Sequence, residues 1–158
     1  MATYILNKKT VVDFSLDGNL YNVLIRVTSP GVELPRLKDP GIYRDILELQ
    51  FFDFEDDISG LYIFNDTIME RILEFFEKHR NCKNMVIHCE SGISRSAGIA
   101  VGWFLFNDTT SSVYKLYHED KHLPNRLIVF HFYKKFHRNI EQINRWEKER
   151  LKRLMSKK

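Results

Sequence analysis

The chain has little cysteine. Only Cys82 and Cys89 occur in 158 residues, too few for the disulfide framework that staples small secreted domains. No set of His, Cys, Asp and Glu has zinc spacing, so neither a metal nor another cofactor is expected. Long apolar runs are also missing. The stretch AGIAVGWFLF at 97–106 is too short to cross a bilayer. The N-terminal MATYILNKKTVVDFSLDG has no sustained apolar region and no small-residue cleavage site, which argues against a secretory signal. Strong charge of one sign is absent: 24 basic and 21 acidic side chains leave a net +3. There is no internal repeat and no low-complexity linker. These absences predict one soluble, cytoplasmic domain over 1–158, with no membrane partner.

The small net charge is unevenly spread. Residues 145–158 carry seven basic and two acidic side chains, and the rest of the chain carries 17 and 19. The segment 148–158 reads as a basic helical or frayed tail. A tail of this kind is weak support for an acidic partner, and nucleic acid is not expected.

What is present is enough for a core. Hydrophobic residues make up 44% of the chain, including 12 Phe. Apolar and β-branched runs predict strands at 5–6, 11–15, 21–27, 46–52 and 85–87. Three-and-four spacing of Ile68, Ile72, Phe75 and Phe76 predicts a helix over 65–79, with Asn65 or Asp66 as its cap. Further helices are expected from Gly92 to about 107, over 111–118, and in one long run from 126 to about 152. Strands alternating with helices predict a single-domain α/β fold. A mostly parallel central sheet would be flanked by helices.

The segment with the most chemistry is His88-Cys89-Glu90-Ser91-Gly92-Ile93-Ser94-Arg95-Ser96. It follows an apolar strand and opens a helix. A tight loop there can turn the backbone amides of Glu90, Ser91, Gly92, Ile93, Ser94 and Arg95 onto an anion, in the field of a helix N-terminus. That field would hold Cys89 as a thiolate nucleophile, which needs a reducing compartment. Arg95 can bridge two phosphate oxygens. Gly92 permits the tight turn. The Ser96 hydroxyl can donate to the sulfur and ease its departure. His88 is expected to fix the loop by hydrogen bonding. Together these residues point to phosphoester hydrolysis through a phosphocysteine. The leaving oxygen needs a proton, and the acidic loop Asp53 to Asp57 is placed to supply it. Asp53, the first acid after its strand, should be held most firmly. Cys82 is either a helix-end thiol or a partner able to trap Cys89. Phe51, Phe52 and Phe54 either rim the pocket or, for the first two, lie in the core.

HCESGISRSAG resembles the signature loop of the protein tyrosine phosphatase superfamily, in its small dual-specificity-like bacterial and viral branch. The resemblance implies Cys89 as nucleophile, Arg95 as phosphate-binding arginine and Ser96 as the hydroxyl assisting thiolate departure. ILELQFFD resembles the strand and loop that end in the general acid, Asp53. Leu123-Pro124-Asn125 resembles a Pro-Asn turn in which Asn125 buttresses the loop. The acid loop is longer than in many such enzymes, so Asp56 and Asp57 are alternative acids. The implied substrate is a phosphorylated protein carrying phosphotyrosine, with phosphoserine and phosphothreonine open as well. Two alternatives remain: a phosphatase of RNA 5′ ends or phosphoinositides, and a phosphate-recognition module without turnover.

Overall fold

The strongest β-forming segment lies in the middle of the sheet. In the computed structural model, which describes residues 1–56 and 62–157, strand β2 (Asn22–Thr28) is buried along its whole length. Its neighbours are β3 (Asp45–Gln50) on one side and β4 (Asn84–His88) on the other, and β1 (Ala2–Leu6) completes the edge. The order is β1-β4-β2-β3, and all three pairings are parallel. A parallel sheet covered on both faces explains the unbroken apolar stretches Val23-Leu24-Ile25 and Met85-Val86-Ile87 within these strands.

Side chains alternate between the two faces. Val23, Ile25, Val27, Met85 and Ile87 enter the larger core. Leu24 and Val86 point the other way, toward Val11, Leu37, Ile42 and Tyr43. The smaller core is closed by α1 (Lys8–Asp13) and a 3-10 turn at Pro40–Ile42. The larger side carries α2 (Asp66–Lys78), α3 (Arg95–Phe106), α4 (Thr110–His118), α5 (Arg126–Lys135) and α6 (Glu141–Ser156). Helix α3 is the central one, with ten of its twelve residues buried. Gly102 lets Phe132 of α5 lie directly on its backbone. A Cβ there would come within 2.6 Å of three ring carbons.

Three sequence expectations require correction. Residues 11–15 are not a strand. Asn7 accepts the Thr10 N–H at 2.7 Å and caps α1 instead, a local bond that overrides the β-branched run Thr10-Val11-Val12. The helix expected to run unbroken from 126 to 152 is two helices. His137 turns left-handed (φ 54°), and its N–H bonds the Lys134 carbonyl while Arg138 N–H bonds that of Tyr133. This is a Schellman ending with histidine in the place glycine usually takes. The third strand stops at Gln50, and Phe52 makes only an isolated bridge to Ile63.

The basic C-terminal segment is helical through Ser156. Ile143, Trp146 and Arg150 of α6 are buried, and Arg153 and Lys157 pair with Asp120 at 3.2 and 2.7 Å. Among the described residues no helix is long and apolar enough to cross a membrane.

Candidate active site

Every strand of the sheet releases a site residue just past its carboxyl end, where ligands bind in open α/β sheets. Lys8 follows β1, Ser29 follows β2, Phe51 and Asp53 follow β3, and Cys89 follows β4. Cys89 is 1% exposed. Its Sγ receives the Gly92 N–H at 3.2 Å and lies 3.1 Å from the Ser96 hydroxyl, two contacts that stabilise negative charge on sulfur.

The loop from Glu90 to Ser94 is held from outside through its carbonyls. The Cys89 carbonyl faces His88 Nδ1 at 3.4 Å. The Glu90 carbonyl accepts Lys8 N–H (3.1 Å), that of Ile93 accepts Leu123 N–H (2.9 Å) and that of Ser94 accepts Asn125 N–H (3.0 Å). His122 Nδ1 reaches the Gly92 carbonyl at 3.1 Å. In a planar trans peptide the C=O and the next N–H point in opposite directions. Tying carbonyls outward therefore turns amides inward. Gly92 takes φ +70°, and a Cβ there would lie 2.7 Å from the Leu6–Asn7 backbone. Both the turn and the close approach require glycine.

Arg95 opens α3 and is 4% exposed. One of its terminal nitrogens donates to the Phe51 carbonyl at 2.7 Å and to Ser29 Oγ at 3.1 Å. Among the described residues its Nε is buried without a partner, and Nη2 stands 4.0 Å from Glu90 Oε2. The pinned edge fixes the guanidinium plane and leaves the Nε–Nη2 edge to face a planar pair of oxygens. Glu90 also pairs with Lys8 at 3.2 Å, so the rim of the loop carries balanced charge.

His88 is fully buried beside Arg26, its register partner across β4 and β2. Arg26 Nε–H donates to His88 Nε2 at 3.0 Å, which places the imidazole proton on Nδ1, toward the Cys89 carbonyl. Burial, with the Arg26 charge beside it, pushes the His88 pKa down to about 4. His88 is thus a neutral strut. Among the described residues no group of three metal-ligating side chains converges.

Asp53 Oδ1 accepts Ser94 Oγ–H at 2.7 Å and Asn125 Nδ2–H at 2.8 Å. Asn125 also donates to the Phe54 carbonyl (3.1 Å) and caps α5 by accepting Ile128 N–H (3.1 Å). One asparagine thereby links the acid loop, the cysteine loop and a helix start. Asp56 is exposed and bonds to none of these groups. Asp57 lies outside the described residues. Phe51 is wholly buried against Phe64, so of the three aromatic candidates only Phe52 and Phe54 lie toward the surface.

No family model matches the sequence, and no curated protein is similar to it in sequence. Solved structures are similar in fold. Tk-PTP, in its active form, is 15% identical with a TM-score of 0.53 over 85% of this chain and 88% of that one. OH1 from the Orf virus, described as a tyrosine phosphatase with triple substrate specificity, is 16% identical with a TM-score of 0.51 over 85% and 82%. A mouse dual specificity phosphatase complexed with zinc tungstate is 15% identical, with a TM-score of 0.50 over 73% and 69%. This is the tyrosine-phosphatase fold. At such identities the likeness carries the architecture alone, and the roles of residues rest on geometry.

That geometry places two hydrogen-bonded sets on one loop, Cys89 with Gly92 and Ser96 and Asp53 with Ser94 and Asn125, and pins Arg95 beside them through Ser29 and the Phe51 carbonyl. Sequence reasoning missed Ser29, Lys8, Arg26 and His122. Ser29 carried a usable signal, since it follows a strand directly and begins Ser29-Pro30-Gly31. Arg26 and His122 carried none, because their partners lie 62 and 30 residues away in sequence.

Proposed function

We propose that this protein is a cysteine-dependent phosphatase acting on phosphotyrosine in proteins, with phosphoserine and phosphothreonine as further substrates. The observation that carries the reading is the setting of Cys89 Sγ. It sits between the Gly92 amide and the Ser96 hydroxyl, at the foot of a loop whose carbonyls are tied away from it.

In this mechanism the Cys89 thiolate attacks phosphorus, the P–O bond to the alcohol breaks, and a phosphocysteine forms. The loop amides and the Nε–Nη2 edge of Arg95 hold the equatorial oxygens as charge shifts onto them. The leaving oxygen takes its proton from Asp53. Among the described residues its donors, Ser94 and Asn125, both fall on Oδ1, which leaves Oδ2 as the oxygen to pass the proton. Asp53 then draws a proton from water attacking the phosphocysteine, inorganic phosphate leaves, and the Ser96 hydroxyl stabilises the departing thiolate. A single loop cation, Arg95, with Glu90 close by, favours a singly phosphorylated side chain over highly anionic RNA ends or phosphoinositides.

The test is a substrate panel (phosphotyrosine, phosphoserine and phosphothreonine peptides, a phosphoinositide, a 5′-triphosphorylated RNA) joined to acid-quench mass spectrometry. Fastest turnover on phosphotyrosine with 80 Da trapped on Cys89 supports the reading. Preference for RNA or lipid moves the substrate class, and binding without turnover makes the site a recognition module.

A further inference from the structure

The C-terminal helix reaches the catalytic loop through one histidine. Arg150 of α6 is 5% exposed, and its guanidinium donates to the His122 carbonyl. His122 Nδ1–H donates in turn to the Gly92 carbonyl at 3.1 Å, since a carbonyl can only accept. The Gly92 carbonyl shares its peptide plane with the Ile93 N–H. Pulling the carbonyl toward His122 fixes that N–H on the opposite, phosphate-facing side. The other outward ties to this loop are backbone amides of Lys8, Leu123 and Asn125, or His88 itself. Among the described residues, Gly92 is the position from Glu90 to Ser94 whose carbonyl is held by a side chain and not by a backbone amide.

We infer that His122 and Arg150 are positioning residues of this active site: Arg150 fixes His122, and His122 sets the Ile93 amide in the phosphate cradle. The inference rests on the phosphatase reading and extends it to α6, where the sequence showed only a basic tail. Burial keeps the His122 imidazole below its usual pKa, which matches a neutral ring giving its one N–H to a carbonyl. The Ile93 N–H now rests on Ser91 Oγ at 3.3 Å, a long contact that an anion can replace.

Three variants test this in the 158-residue chain. His122→Leu removes the donor, His122→Asn restores an N–H close to the position of Nδ1, and Arg150→Met removes the guanidinium but keeps an apolar stem of similar length. The readouts are the inhibition constant or dissociation constant of inorganic phosphate, kcat and KM for p-nitrophenyl phosphate, and thermal midpoint. One mis-set amide in the cradle should weaken phosphate binding and lower kcat by about tenfold in His122→Leu and Arg150→Met. His122→Asn should recover most of both. His122→Leu with wild-type phosphate affinity and kcat overturns the inference. So does an Asn variant that loses as much as Leu with a matching fall in thermal midpoint, because that pattern reports general packing. Phosphate binding separates the two levels of argument. A wild-type protein that binds no phosphate overturns the cradle itself. One that binds phosphate without turnover overturns only the catalytic reading, and the variants still test the tie.

Discussion

Cys82 and Cys89 stand at opposite ends of strand β4, and both are buried, 3% and 1% exposed. Their surroundings make them different groups. At the amino end of the sheet, Cys82 lies at the close of α2, and burial pushes its pKa up to about 11. At the carboxyl end, Cys89 has an amide and a hydroxyl on its sulfur. Burial alone makes a thiol inert; buried donors aimed at the sulfur suit it for charge. The five residues of β4 hold the two apart by about 16 Å at 3.3 Å per residue, far beyond disulfide reach. The trapping disulfide weighed from sequence is therefore excluded.

The same contrast holds for the polar groups at each end. The amino end has its own half-buried network: Tyr21 OH meets His79 Nδ1 at 2.6 Å, and His79 Nε2 meets Asp45 at 2.7 Å. Asn84 donates to Asn22 at 2.8 Å. Each of these groups is paired within the fold, so the network ties α2 to the sheet and leaves nothing for a ligand. At the carboxyl end Arg95, beside the cysteine loop, keeps an Nε with no partner among the described residues. The polar network described at the amino end is closed on itself, whereas this donor is open to a ligand.

Exchanging the thiols is the hardest test of this contrast. Cys89→Ser should lower hydrolysis by about 10,000-fold or more. Cys82→Ala should leave kcat unchanged and cost about 1 kcal/mol in denaturant unfolding. Comparable losses from both variants would erase the distinction between the ends. Next in size is Asp53→Asn. We expect about a hundredfold loss on phenyl phosphate and little on esters with good leaving groups, read from a leaving-group series. Uniform loss across the series would transfer proton donation to Asp56 or Asp57.

A third expectation concerns pH. His88 titrates near 4 in the folded protein and near 6.5 when unfolded. Above pH 6.5 neither state binds this proton, so His88 adds no pH dependence. Between 6.5 and about 4 the unfolded chain binds it more readily. Stability should fall across that window by about 3 kcal/mol, then level off for this group. His122, also depressed, acts in the same direction. Asp45, held below its usual value by bonds from His79 and Lys78 that outweigh its burial, loses its contribution only as pH drops through its lowered pKa. His88→Gln, whose amide oxygen can still accept from Arg26, should flatten the slope between pH 6.5 and 4 in urea titrations. An unchanged slope would show that other groups carry it. The smallest effect belongs to the structural end. Tyr21→Phe should cost about 1 kcal/mol of stability with kcat intact. A fall in kcat there would show that the two ends of the sheet are coupled.

Much of the carboxyl end could be read from the sequence because it is local. Cys89, Gly92, Arg95 and Ser96 fall within eight residues, so one motif specifies their spacing and one loop realises it. Asn125 and Asp53 were reachable through resemblance and through position after a strand, and their meeting at 2.8 Å is a tertiary fact. His122 and Arg150 were invisible, since each matters only through a partner 28 or 30 residues away. The break at His137 was hidden because its left-handed turn uses histidine, which carries no stop signal in an apolar register that runs on past it.

The sequence by itself determined the α/β class, the four strand cores, a helix cap at Asn65 or Asp66, and the loop from His88 to Ser96. Those depend on periodicity and on near neighbours, which the order of residues encodes directly. Tertiary structure decided the rest. It set two buried thiols in opposite environments, buried Arg150 of the basic tail against the His122 carbonyl, and made His88 a neutral strut under Arg26. These outcomes depend on which distant groups share a small volume where water is excluded. There, a single donor or charge outweighs the intrinsic preference of the residue it faces.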